Sequence, residues 1–157
     1  MMGYKKVLLV FAALVAAAFA GTTPAGVTFL EANRAKNGVV ELPSGLQYRV
    51  IKSGEEGGKS PAVSTPCECH YKGSTIEGVE FDSSYKRGKP TTFAPNQVIK
   101  GWTEAMQLMK EGDHWELVIP SELAYGDSQR GPHITPGAVL VFELELLKVK
   151  GKVAGEL

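Results

Sequence analysis

The chain has 157 residues, with 17 basic and 17 acidic side chains and a formal net charge of zero. That length supports one domain with a substantial core. Balanced charge, with no Lys/Arg run interleaved with aromatics, excludes an electrostatic nucleic-acid binder.

The first residues, 1–20, read as a separate object. Lys5-Lys6 precede an almost wholly apolar run from Val7 to Phe19, and Ala18-Phe19-Ala20 places small residues where a signal peptidase reads. The pattern predicts a secretory signal peptide over 1–20, cleaved after Ala20. The apolar run, about 14 residues, is shorter than the roughly 20 that span a bilayer. Its removal takes away Lys5 and Lys6, which leaves a mild acidic excess and no stable membrane span.

Residues 21–41 read as a linker and a short helix. Gly21 to Gly26 is rich in Thr, Pro and Gly. A helix is predicted over Val27–Lys36, with Thr28 as cap, Glu31 three residues on, and Asn37-Gly38 as its end. Its apolar stripe is weak, which predicts an appendage to a main domain over 42–150. There, Leu46, Tyr48 and Val50 alternate as in a strand, and 53–66 is a solvated loop. Cys67 to Lys72 reads as a second strand, with Cys67, Cys69 and Tyr71 on one face and His70 on the other. Cysteines two apart on a strand have Cα atoms about 6.6 Å apart, at the long limit for a disulfide, so a relaxed bridge is not expected. They read as small buried apolar side chains, with no metal site.

Short strands at 80–82 and 91–93 flank a loop at 83–90. Val98, Ile99, Trp102, Ala105, Met106 and Met109 recur at helical spacing, with Lys100, Glu104 and Lys110 opposite and Gly112 closing the segment. Trp115, Leu117 and Ile119 form a strand that Pro120 ends. Ser121 to Pro136 is a long loop. From Ala138 to Lys148, Leu140, Phe142, Leu144 and Leu146 face one way, and 151–157 is a flexible tail. Alternation with one wet face predicts antiparallel strands. The expected fold class is α+β: a twisted antiparallel sheet of about five strands wrapped around one short amphipathic helix.

The chemistry available is narrow. No nucleophile elbow, phosphate loop or metal-ligand set is present. What remains is an apolar set, Tyr71, Phe81, Phe93, Val98, Ile99, Trp102, Tyr125 and Phe142, around one carboxylate, Asp82. A core would explain the apolar residues alone. A charge among them is costly without a purpose or partner, and Arg87, five residues on, is its natural partner. Tyr125 has a hydroxyl that can donate to a carbonyl. The combination points to a small apolar pocket that acts on a substrate dipole, not to a hydrolase.

At this point the residues carry a resemblance. Leu42-Pro-Ser-Gly-Leu-Gln-Tyr48, His70-Tyr71, Phe81-Asp82-Ser83-Ser84, Val98-Ile99-Lys100-Gly101-Trp102, Ile119-Pro120, Ala124-Tyr125-Gly126, Leu140-Val141-Phe142 and Glu145-Leu146-Leu147 stand in the order of the FKBP-type peptidyl-prolyl cis–trans isomerases. The stretch from about 42 to 149 resembles that family. The resemblance implies an isomerase of X–Pro bonds, with Trp102 flooring the pocket and Tyr71, Phe81, Phe93, Val98 and Phe142 walling it. It implies that the Ile99 amide and the Tyr125 hydroxyl hold substrate carbonyls, and that Asp82, held by Arg87, acts electrostatically. Ile134 is retained at the pocket edge, whereas Thr91, Gln97 and His133 depart from common family residues. Implied partners are proline-containing polypeptides and macrolides such as tacrolimus or rapamycin; no cofactor is implied. A proline-peptide-binding chaperone with little turnover is the alternative. Phe29 to Gln47 resembles the stretch before the catalytic domain in secreted Mip-like members. Those carry a long dimerisation helix further upstream, for which this chain has no room, so a monomer in the secretory pathway is expected.

Overall fold

The structure, a computed structural model, describes residues 21–153 and 155. The signal-peptide reading and the end of the tail lie outside them. Seven strands form one antiparallel sheet: β1 Val39–Glu41, β2 Gln47–Lys52, β3 Cys67–Thr75, β4 Glu80–Ser83, β5 Thr91–Phe93, β6 His114–Ile119 and β7 Leu140–Val149. The order is β1-β2-β6-β7-β3-β4, with β5 also paired to β3. Among the described residues three α-helices accompany it: α1 Pro24–Arg34, α2 Ser84–Arg87 and α3 Lys100–Leu108.

The pairing of β3 sets up everything that follows. Along one edge it runs beside β7, from Cys67 opposite Val149 to Thr75 opposite Leu140. Its other edge is shared: β5 covers Cys67 to Cys69, and β4 covers Lys72 to Ser74. Between them the Tyr71 backbone has no strand partner. Ser84 fills the gap, its Oγ accepting from the Tyr71 amide at 2.7 Å and lying 3.2 Å from the Tyr71 carbonyl oxygen. A buried backbone group left unpaired would be costly, and here one hydroxyl serves both. Ser83 caps α2 by accepting from the Lys86 amide, and Gly88, at φ 72°, ends it.

Helix α3 packs on one face of the sheet. Trp102, Ala105 and Met106 bury there with Leu117, Ile119, Leu140, Leu144 and Leu146. Gly101 permits the close approach, because a Cβ there would come within 2.7 Å of the Ile119 side chain. Cys67 and Cys69 are fully buried in the same cluster, as free thiols.

Several elements differ from the sequence expectation. The N-terminal helix begins earlier: Thr23 caps it by accepting from the Gly26 amide at 3.1 Å, and Pro24 occupies its first turn. It is also no appendage. Leu30 is fully buried with Val118 and Val139. Val118 alternates with Leu117 and Ile119, so α1 covers the face opposite α3. Asn33 donates to the Gln47 side chain at 2.7 Å, and Gln47 donates to the Leu30 carbonyl and to Glu41. The sheet has seven strands, not about five; β1 lay within the stretch read as linker. The main helix starts at Lys100, with Val98 and Ile99 extended ahead of it. The start of the tail is tied down, since Val153 bridges to Pro61 and Thr65 donates to the Lys152 carbonyl at 2.6 Å. Among the described residues no helix is long and apolar enough to cross a membrane.

Candidate functional site

A cavity of about 550 Å³ opens at the junction of β3, β4, β5, β7 and the start of α3. Trp102 forms its base: the indole is 4% exposed. Three rings brace it, Phe142 edge-on at 5.1 Å, Tyr71 edge-on at 5.1 Å and Phe93 tilted at 5.2 Å. Phe81 packs edge-on against Phe142 at 5.6 Å. Edge-to-face contacts at such distances stabilise ring pairs beyond their buried area. Gly73 makes this wall possible. A Cβ there would lie 2.5 Å from the Phe142 ring and 2.7 Å from Phe81, so only glycine leaves both rings in place.

Val98, Ile99, Tyr125 and Ile134 complete the apolar lining. Ile99 stands at the N-cap of α3, where its carbonyl accepts from Trp102 and Thr103 at 3.0 Å. Its own amide finds no acceptor among the described residues. First-turn amides of a helix lack intrahelical partners and are available to a ligand. Two further donors stand unspent. The Trp102 Nε1 is buried without an acceptor, and the Tyr125 hydroxyl makes no hydrogen bond among the described residues.

Asp82 is the one carboxylate in the lining. It is not enclosed by core, as the sequence reading expected, but is 42% exposed at the mouth. Tyr71 donates to its Oδ2 at 2.6 Å, and Arg87 donates to its Oδ1 at 2.5 Å. Arg87 also donates to the Tyr71 hydroxyl at 2.9 Å, lies over the Tyr71 ring at 5.5 Å, and reaches Thr91 at 3.4 Å. Burial pulls the Asp82 carboxyl upward, but the Tyr71 and Arg87 hydrogen bonds outweigh it and hold the group below the ordinary carboxylate value. Burial, with the Asp82 hydrogen bond, raises the Tyr71 phenol. The result is a fixed, ionised carboxylate with both oxygens engaged. Held by these two partners and ionised, it is a poor base, and it sits near no nucleophile among the described residues, so its effect on a bound group is through its field.

Of the residues singled out in sequence, Tyr71, Phe81, Asp82, Phe93, Val98, Ile99, Trp102, Tyr125, Ile134 and Phe142 all line the cavity. Arg87 does not; it stands behind Asp82 and Tyr71. Thr91 meets Arg87 rather than the cavity, and His133 is exposed. Two lining residues were not assigned to the site from sequence, Gln97 and Arg130. Gln97 accepts from the Ala94 amide at 2.8 Å, which turns its side chain back onto the turn that enters α3. Arg130 lies in a loop that reads as solvated, and only the turn joining it to Ile134 brings it over Tyr125. No local sequence signal distinguishes it from a surface arginine.

Comparison with known proteins follows the same lines. Residues 57–147 match the family described as FKBP-type peptidyl-prolyl cis-trans isomerase. Residues 8–50 match the domain amino terminal to it. The chain is 51% identical over 125 residues to the "Macrophage infectivity potentiator" of Trypanosoma cruzi, covering 80% of this chain and 63% of that protein. It is 48% identical over 125 residues to the "Outer membrane protein MIP" of Legionella longbeachae, covering 80% of this chain and 53% of that one. This chain thus spans less than two thirds of the length of both relatives. A crystal structure of a peptidyl-prolyl cis-trans isomerase from Pseudomonas syringae superposes with a TM-score of 0.75 at 38% identity, over 86% of this chain and 95% of that one.

Proposed function

The chain belongs to the FKBP-type peptidyl-prolyl cis-trans isomerase family, and from that premise we propose that it accelerates cis–trans exchange at X–Pro bonds of proline-containing polypeptides. The carrying observation is the ring-braced cavity over Trp102, with unspent donors and a locked carboxylate at its edge. The proline ring lies over Trp102, between Tyr71, Phe81, Phe93, Val98 and Phe142. The Ile99 amide and the Tyr125 hydroxyl donate to substrate carbonyls. Asp82, held by Tyr71 and Arg87, acts on the imide through its field.

The barrier to rotation is about 18–20 kcal/mol, because resonance flattens the amide. Twisting returns the lone pair to nitrogen and leaves a less polar carbonyl. A dry apolar pocket favours that state over the planar amide, and fixed donors select its geometry. Each 1.36 kcal/mol is a factor of ten, so about 7 kcal/mol of selective stabilisation yields roughly 10⁵-fold with no covalent step. Macrolides such as tacrolimus or rapamycin would compete by seating an apolar ring in the same cavity, whose volume suits a small-molecule site. The apolar leader after Lys5-Lys6 supports a secretory compartment, and the outer-membrane name of one relative accords with it.

The test is exchange spectroscopy by NMR on an X–Pro peptide. The expected result is acceleration of exchange by the protein, sharply reduced in the Asp82→Val, Tyr125→Phe double variant. Peptide binding without acceleration would instead support the chaperone reading and overturn this one. N-terminal sequencing of the protein recovered from its host checks the leader.

A further inference from the structure

The rim of the cavity carries one cation that no carboxylate among the described residues neutralises. The chain has arginines at 34, 49, 87 and 130. Arg34 pairs with Glu41, Arg49 with Glu116 and Arg87 with Asp82. Arg130 pairs with no carboxylate among the described residues, and it is the one that lines the cavity without a partner. Its position is built. The Arg130 amide donates to the Ile134 carbonyl at 2.9 Å, and the Ile134 amide donates back at 3.3 Å. Ile134 is 6% exposed, so this two-way bridge ties the exposed arginine to the core. The guanidinium then lies over the Tyr125 ring, 5.1 Å from its centroid. Stacking on an aromatic face orients the guanidinium and leaves its N–H edge free.

The charges across the mouth are unequal. Asp82 is the only carboxylate in the lining, and both its oxygens are engaged by Tyr71 and Arg87. Among the described residues the rim therefore offers one unpaired cation, whereas its one anion is already paired with Arg87.

We propose that Arg130 is a specificity-determining residue that favours substrates carrying an acidic side chain, Asp or Glu, on a residue flanking the proline. This rests on the isomerase reading above. A carboxylate there matches the free edge of a stacked guanidinium in charge and in geometry. A lysine at the same position meets an uncompensated like charge. Because Arg130 is exposed, the gain is modest, about two- to fivefold in kcat/KM, and screened by salt.

The experiment measures kcat/KM for peptides with Glu, Gln or Lys immediately before the proline, and for a second set with the same residues immediately after it. In at least one set the expected order is Glu over Gln over Lys at low ionic strength, with the Glu-to-Gln ratio falling toward one in high salt. Arg130→Gln should collapse the Glu-to-Lys ratio, and Arg130→Glu should invert it. Ratios are read within one variant, so a variant of lower overall rate still reports. If the Gln peptides are accelerated but both sets show no Glu preference, or the preference survives in Arg130→Gln, the inference fails while the isomerase reading stands. If wild type does not accelerate the Gln peptides, the isomerase reading fails and takes this inference with it.

Discussion

Replacing Gly73 by alanine isolates the wall of the cavity from the rest of the molecule. Gly73 is not at positive φ, so alanine meets no backbone strain there. The cost is purely steric. The added methyl would lie 2.5 Å from the Phe142 ring and 2.7 Å from Phe81, about 1 Å inside ordinary carbon contact of roughly 3.5–4.0 Å. Phe142 is 5% exposed and already edge-on to Trp102 at 5.1 Å, so it has nowhere to retreat. Overpacking of this kind costs about 1–3 kcal/mol, which corresponds to a fall in Tm of roughly 3–10 °C for a domain of this size. The less buried Phe81 takes up part of the shift by moving into the cavity, so kcat/KM for an X–Pro peptide falls more steeply than stability at a temperature where the variant is folded. Thermal unfolding by circular dichroism and NMR exchange spectroscopy read the two effects. Gly151→Ala is the control, because its methyl finds only Thr65 at 3.6 Å. A Gly73→Ala protein with the Tm and exchange rate of wild type would refute the account of the wall.

Other outcomes follow from the same geometry. Leu30→Ala leaves a cavity between α1 and the sheet face away from the site; unfolding in urea should show a loss of about 2–5 kcal/mol, with peptide exchange per folded molecule retained. Asp82 has a depressed pKa, so its ionised, hydrogen-bonded form is fully populated above the ordinary value of 3.8 and is lost as pH falls through the lower folded value. Carbon-detected NMR titration should therefore place its midpoint below 3.8, and Arg87→Gln should raise it; a wild-type midpoint above 3.8 contradicts the network. Burial pushes the Cys67 thiol up to about 11 and raises Cys69 further, with Glu111 and the neighbouring thiol adding to it. A thiol-reactive disulfide reagent at neutral pH should find neither in the native protein and both after unfolding.

Much of the site was legible because the apolar and polar requirements of a pocket leave composition marks. Phe81-Asp82 is an aromatic beside a carboxylate, and Val98-Ile99-Lys100-Gly101-Trp102 is an apolar run entering an amphipathic helix; both line the cavity. Arg130 escaped because nothing within its loop of Gly, Ser, Gln and Pro marks it; the turn that closes on Ile134 places it. The N-terminal helix was underrated for a related reason. Its stripe is weak because it buries one leucine and then relies on Asn33 and Gln47, polar residues whose mutual satisfaction is invisible until they meet.

The sequence by itself determined the class of fold, the strands of clear alternation, the apolar helix against them and the residue types of an apolar pocket, since side-chain period and hydrophobicity act locally along the chain. Tertiary structure alone decided which strand edge stays open at Tyr71 for Ser84 to close, that Gly73 must be bare for two rings to meet, and that Arg130 reaches the rim unpaired. Each of those depends on groups far apart in sequence arriving within a few ångströms, and no local pattern records that distance.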